Sequence, residues 1–138
     1  MPAVAAARPF REGLLKLAPP RLLGSRCDRC ATVSFPAREF CPGCRAVDAI
    51  AETELSPAGS VYSFTVVRQA PPGIAVPYVL AYVDLPEGVR VLAQVSGVAP
   101  EEVTIGLPVH LELTAFDQDA EGADLVGYRF RAGSEVAA

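Results

Sequence analysis

The fold class this sequence predicts is mainly β: an N-terminal helix, a ribbon closed by four cysteines, then a five-stranded Greek-key barrel of the OB type. Three observations predict it. All four cysteines of the 138-residue chain fall between residues 27 and 44, in two C-x-x-C pairs ten residues apart. From Ser60 onward, apolar residues recur at every second position through five runs. Ahead of the cysteines the apolar spacing is helical instead.

In chain order, "RPFREGLLKLAPP" places Phe10, Leu14 and Leu17 at i, i+4 and i+7, and Pro19-Pro20 stop the pattern, which predicts a short helix within residues 1–22. The ribbon is expected over residues 23–50 and the barrel over 51–138, with residues 46–59 leading from one to the other. Pro42 and Gly43 inside the second pair favour a tight turn. The spacer "ATVSFPAREF" is long enough for a short hairpin that returns the second pair to the first. The five barrel strands are "SVYSFTVVR", "PYVLAYVDL", "GVRVLAQVSG", "LPVHLELTAF" and "LVGYRFRA". Their breaks carry turn residues, and "PEEV" in the third break fits a single helical turn. Five strands with a small helical element between the third and fourth match an OB barrel.

Each C-x-x-C aims two thiolates at one ion, and two such turns close a tetrahedral shell of four sulfurs. Cys27, Cys30, Cys41 and Cys44 are therefore candidate metal ligands, with zinc favoured and iron, bound as in rubredoxin, the alternative. A shell filled by protein sulfur leaves no position for water, so the metal is expected to be structural. A thioredoxin-like redox site would need one reactive pair at a helix start, and structural disulfides are rare in a reducing cytoplasm. Arg26, Arg29, Arg38 and Arg45 surround these thiolates, where cations lower thiol pKa values and offset a net negative shell.

Residues 1–45 hold eight basic and three acidic side chains, residues 46–138 four basic and thirteen acidic. The first third is thus near +5 and the rest near −9. The basic third suits an anion such as a phosphate-bearing cofactor, or it is an ordinary solvated surface. Mean hydropathy is +0.29, apolar for so short a chain, yet no apolar run nears the ~18 residues of a membrane span. The start "MPAVAAARPF" lacks the features of a secretion signal, and a cytoplasmic location is expected. No second catalytic constellation is found. His110 lies mid-strand and reads as an exposed position, not a base. "DQDAEG", Asp117 to Gly122, imitates the start of a calcium loop, but Tyr128 stands where the bidentate Glu belongs, so a solvated hairpin loop is expected.

Several motifs in order extend this reading. "F-x-x-G-L", "C-x-x-C…P-x-R-x-x-C-P-x-C", "G-x-V-Y-S-F-T-V-V", "P-Y-V-L-A-Y-V-D-L-x-E-G-V-R", "I-G-x-P-V" and a closing "Y-R-F" run from about Phe10 to Phe130. Together they resemble the family of rubredoxin-like zinc ribbons fused to an OB-fold, domain of unknown function 35. The resemblance implies a partner of thiolases and of thiolase-like, sterol-carrier-protein-type aldolases acting on acyl-CoA thioesters. It implies metal ligation by Cys27, Cys30, Cys41 and Cys44, and it matches Arg38 and Pro42 to the motif around the second pair. The family's glycine after the first C-x-x-C is Ala31 here. No hydratase-like hot-dog domain is attached, so work on steroid side chains would need a separate hydratase.

The expected function is that of a non-catalytic accessory subunit in a hetero-oligomer with a thiolase-fold enzyme, stabilising the partner and helping bind or channel acyl-CoA in steroid side-chain or aromatic acid degradation. The alternatives are a single-stranded nucleic-acid binder and a rubredoxin-like electron carrier. The first is disfavoured because the barrel segment is acidic, has no tryptophan and carries arginines only at Arg68, Arg90, Arg129 and Arg131. Tyr62 and Phe64 share one strand face, opposite Val61, Thr65 and Val67; they are interface anchors if the valine face lines the barrel and core if the faces are reversed. "QAPPGIAVP" is rigid and apolar, and Ile74 and Val76 have no evident core to enter, so Gln69–Pro77 is expected to lie against the partner or its acyl-CoA entrance.

Overall fold

A computed structural model describes residues 8–9, 11, 13–118 and 120–133. In chain order the strands are β1 (Arg8–Pro9), β2 (Leu15–Lys16), β3 (Arg21–Cys27), β4 (Val33–Ser34) and β5 (Ile50–Glu54). Then come β6 (Ala58–Val67), β7 (Tyr78–Asp84), β8 (Arg90–Ser96), a 3₁₀ turn at Pro100–Glu102, β9 (Pro108–Gln118) and β10 (Asp124–Ala132). The five barrel runs and the "PEEV" turn all form where the alternation and turn residues place them. Two compact units emerge: Met1–Leu55 with Leu113–Tyr128, and Ser56–Glu112 with Arg129–Ala138.

In the first unit β3 is the organising strand. It pairs antiparallel with β2 (Leu15↔Leu22), with β4 (Ser25↔Ser34) and with β5 (Leu23↔Glu54 through Cys27↔Ile50). Leu14, Leu15, Leu22 and Leu55 are buried there. A Cβ on Gly24 would stand 2.5 Å from the Ser34 carbonyl oxygen and 3.3 Å from Leu55, so only glycine lets these elements close on β3. Phe35 and Tyr128 meet edge to face at 5.7 Å.

The helix expected within residues 8–20 is absent among the described residues, and Phe10 lies outside them. Gly13 sits at φ +78°, a left-handed value that ends a helical path. Leu14 and Leu15 are both buried, and Leu15 pairs with Leu22. An isolated helix of ten residues is marginal; pairing with β3 buries both leucines. The extreme N-terminus before Arg8 and the tail after Gly133 lie outside the described residues.

The barrel sheet runs β10-β8-β7-β6-β9, and β9 pairs back onto β10, closing five strands on themselves; β1 adds to β10. All of these pairings that have a described register are antiparallel except β1 with β10 and β8 with β10 (Phe130↔Val95, Arg131↔Ser96). Val79, Ala81 and Val83 of β7 and Val91, Ala93 and Val95 of β8 point inward with Val61, Val109 and Phe130, all buried. The intervening side chains face solvent, which is period two made visible. The register slips between Val61 and Ser63, leaving Tyr62 as the extra residue of a bulge.

His110 corrects the expectation of exposure. It is buried, and its Nδ1–H donates to the Gly133 carbonyl oxygen at 3.1 Å. The end of β10 covers this end of β9, a tertiary contact that strand alternation does not reveal. The hairpin between β9 and β10 holds the acidic "DQDAEG" loop, of which Asp119 is outside the described residues. No helix among the described residues is long and apolar enough to cross a membrane.

Candidate metal centre

The end of β3 delivers Cys27 and the turn after it Cys30, and the turn before Ala46 delivers Cys41 and Cys44. All four sulfurs lie within 4.8 Å of one another. Cys27 and Cys44 Sγ are 3.6 Å apart, and Cys30 and Cys41 Sγ 3.4 Å. Sulfurs at about 2.3 Å from a tetrahedral ion stand roughly 3.8 Å from each other, so these side chains fit one metal ion. None of the four is in a disulfide.

The two turns are built alike. The N–H of Ala31 donates to the Cys27 carbonyl at 2.8 Å, and that of Arg45 to the Cys41 carbonyl at 2.9 Å. Gly43 and Cys44 N–H groups both reach Cys41 Sγ at 3.3 Å. Such donors stabilise thiolate over thiol. In the metal-free chain the Thr32 hydroxyl, 3.1 Å from Cys30 Sγ, is the leading reason that thiol falls to about 6. Cys41 is lowered chiefly by the Cys44 N–H. Cys44 is pushed up to about 11: the Ala46 N–H lowers it, but the Cys27 sulfur, burial and the remaining sulfurs outweigh that. Cys27 and Cys41 are buried with Ala46, whereas Cys30 and Cys44 are exposed.

Arg26, Arg29, Arg38 and Arg45 are all exposed on this unit. Arg29 reaches Asp48 at 3.4 Å across solvent, a weak pair. The Arg38 N–H donates to the buried Ser25 hydroxyl at 3.0 Å, so the backbone of that residue, not its guanidinium, is tied down.

In the barrel unit, Tyr62, Phe64, Ile74 and Val76 are exposed at 47%, 37%, 50% and 41%. Val61 is the inward residue of its strand, and the Arg90 guanidinium, itself paired with Asp84 at 2.7 Å, lies 3.4 Å over the Tyr62 ring. Tyr82 and Leu92, cross-strand partners on β7 and β8, are equally exposed. With Ser63, Phe64, Thr65 and Leu80 they line an apolar depression of about 340 Å³. Sequence reasoning missed these two; the signal was present, since both occupy the outward positions of strands whose inward ones are Val and Ala.

Residues 16–48 match the family described as the ChsH2 rubredoxin-like zinc ribbon domain, and residues 52–114 the ChsH2 C-terminal OB-fold domain. A DUF35 domain-containing scaffold protein of Methanocaldococcus jannaschii is 40% identical over 113 residues, 80% of either chain. A benzoylsuccinyl-CoA thiolase subunit, BbsA, of Thauera aromatica is 34% identical over 112 residues, 81% of this chain and 76% of that one. Among solved structures, a chain of an Ltp2-ChsH2(DUF35) aldolase superposes with a TM-score of 0.67 at 36% identity, covering 81% of this chain and 84% of its own.

Proposed function

Because the chain belongs to the DUF35 family, in which a rubredoxin-like zinc ribbon precedes an OB-fold domain, we propose that it is a non-catalytic accessory subunit of a thiolase-fold enzyme acting on acyl-CoA thioesters. The observation that carries this reading is the exposed apolar face of the barrel unit, formed by Tyr62, Phe64, Tyr82 and Leu92. Clustered large apolar side chains on a surface mark a protein interface, and aromatic ones commonly anchor it. Similarity to a thiolase subunit and to a chain of an aldolase supports the kind of partner.

The ribbon holds a structural metal, zinc ahead of iron, since an all-sulfur shell closes the ion off from substrate. The acyl group belongs to steroid side-chain or aromatic acid degradation. Arg26, Arg29, Arg38 and Arg45 offer the positive charge that CoA phosphates need. The complex works in the cytoplasm.

The test is co-expression with a thiolase-fold enzyme from the same cell. The pair is expected to co-purify, while the isolated chain turns over no acyl-CoA. Ile74→Asp and Tyr82→Asp each weaken the complex by about 2 kcal/mol or more, as at interface hot spots, and leave the melting temperature of the isolated chain nearly unchanged. Full-strength binding by both variants, or thiolysis by the chain alone, overturns the reading.

A further inference from the structure

Thr32 occupies a junction between the two cysteine turns. Its carbonyl oxygen accepts the Cys27 N–H at 2.9 Å. Its hydroxyl oxygen lies 3.1 Å from Cys30 Sγ. A Cβ on Gly43, in the second turn, would come within 2.8 Å of that same hydroxyl oxygen. A bare position 43 leaves that oxygen its place. One side chain thus joins the ligand of one pair to the turn of the other.

The direction of the bond follows from the chemistry. A metal-bound thiolate carries no proton, so the hydroxyl donates and the sulfur accepts. The two buried ligands need no such help: Cys27 and Cys41 are enclosed, and Cys41 Sγ already receives two backbone N–H groups at 3.3 Å. Cys30 is exposed, and exposed thiolates are where chelators and electrophiles reach a closed metal shell.

We propose that Thr32 is a positioning residue of the metal centre, whose hydroxyl holds the exposed Cys30 arm on the ion and so sets how fast the metal is lost. This rests on the reading that the ribbon binds a metal. A backbone N–H donor is the same whatever the side chain; this donor is a side chain, so substitution at one position tunes the lability of the metal. Outer-shell donors of this kind commonly change metal affinity by about 10- to 100-fold when removed.

The experiment uses the full chain as wild type, Thr32→Val and Thr32→Ser, each loaded with cobalt(II) or zinc. Metal transfer to a chromogenic chelator gives the release rate, and the sulfur-to-cobalt charge-transfer band, to which every bound thiolate contributes, reports the state of the sulfur shell. Thr32→Val keeps the branched shape without the hydroxyl, and is expected to release metal about tenfold faster or more with a shifted band. Thr32→Ser keeps the hydroxyl and stays near wild type. Wild-type release by Thr32→Val overturns the proposal, and so does a serine variant as fast as the valine one, because lost packing then explains both. Should Thr32→Val fail to fold, Gly43→Ala decides: displacing the hydroxyl must speed release, and an unchanged rate overturns the idea. A wild-type chain that takes up no cobalt with a tetrahedral thiolate spectrum overturns the metal reading itself.

Discussion

Ala31 and Arg45 hold equivalent places, one residue past each C-x-x-C pair, and both are left-handed, at φ +64° and +68°. A side chain there costs on the order of 1 kcal/mol, because Cβ crowds the following carbonyl. The chain adopts it all the same: past each N–H that donates to the first cysteine's carbonyl, the left-handed residue turns the backbone away from the site. Ala31→Gly is therefore expected to raise the stability of the metal-loaded chain by up to about 1 kcal/mol, read from thermal melts at fixed metal concentration. The gain is partly offset by the freer unfolded chain, and a lower melting temperature would contradict the strain argument. At this scale the gathering of the four sulfurs was legible, because two C-x-x-C pairs imply one shell whatever surrounds them. Ala31 stood out where the family carries glycine. Thr32 was invisible, because a hydroxyl reaching sulfur over a bare Gly43 is a fact of three-dimensional closure with no sequence period. His110 failed for a similar reason: Gly133, which covers it, is far along the chain.

Strand β9 joins its neighbours through Glu112. The Ser96 hydroxyl of β8 donates to it at 3.1 Å, Arg129 of β10 bonds it directly, and Arg131 stands 3.9 Å away. Burial raises the Glu112 pKa, but Arg129, Ser96 and the arginine charges outweigh it, and the net shift is downward from 4.5. A carboxylate with a depressed folded pKa contributes stability that is present above its unfolded value and lost as pH falls through the folded one. Barrel stability is therefore expected to drop as pH falls below about 4.3, the usual Glu value. Glu112→Gln should flatten that drop while lowering stability at neutral pH by about 1 kcal/mol or less, the pair being partly exposed. Urea titrations across pH measure both; a variant with the wild-type acid slope would remove Glu112 from the account. The strands themselves were legible because Val and Ala recur at every second position through β7 and β8. The N-terminal segment was misread because Phe10, Leu14 and Leu17 mimic a helical stripe, while Leu14-Leu15 buried side by side after a left-handed Gly13 belong to a tight hairpin.

The two cysteine turns lie in one compact unit and the valine-rich core in the other. Structural zinc in small modules is worth roughly 10–16 kcal/mol of apparent binding free energy near neutral pH. The ribbon's own apolar cluster is small: Cys27, Cys41 and Ala46 with Ala49 and Ile50. The barrel buries Val61, Val79, Val83, Val91, Val109 and Phe130 nearly completely. Cys41→Ser, or stripping the metal with a strong chelator, is expected to abolish stoichiometric metal and erase hydrogen-exchange protection around residues 23–50, while β6, β7 and β8 stay protected. Full metal content in Cys41→Ser with unchanged protection would take the structural role away from the ion. The change of period at Ser60 and the confinement of all cysteines to 27–44 foreshadow the barrel strands and the sulfur cluster, whereas the grouping of Leu113–Tyr128 with the first unit leaves no mark in the period. The exposed aromatic face was only partly so, because the bulge at Tyr62 decides which way its side chain turns.

The parallel register of Phe130 with Val95 and Arg131 with Ser96 has a consequence for synthesis. A ribosome releases the cysteine segment some eighty residues before it releases the strand that completes the barrel. Domains fold N-terminal first as they emerge, so the ribbon can capture its ion while β8 still exposes an open edge that invites unwanted pairing. The four thiols are thus made early, and β10, nine residues long, closes the barrel sheet last.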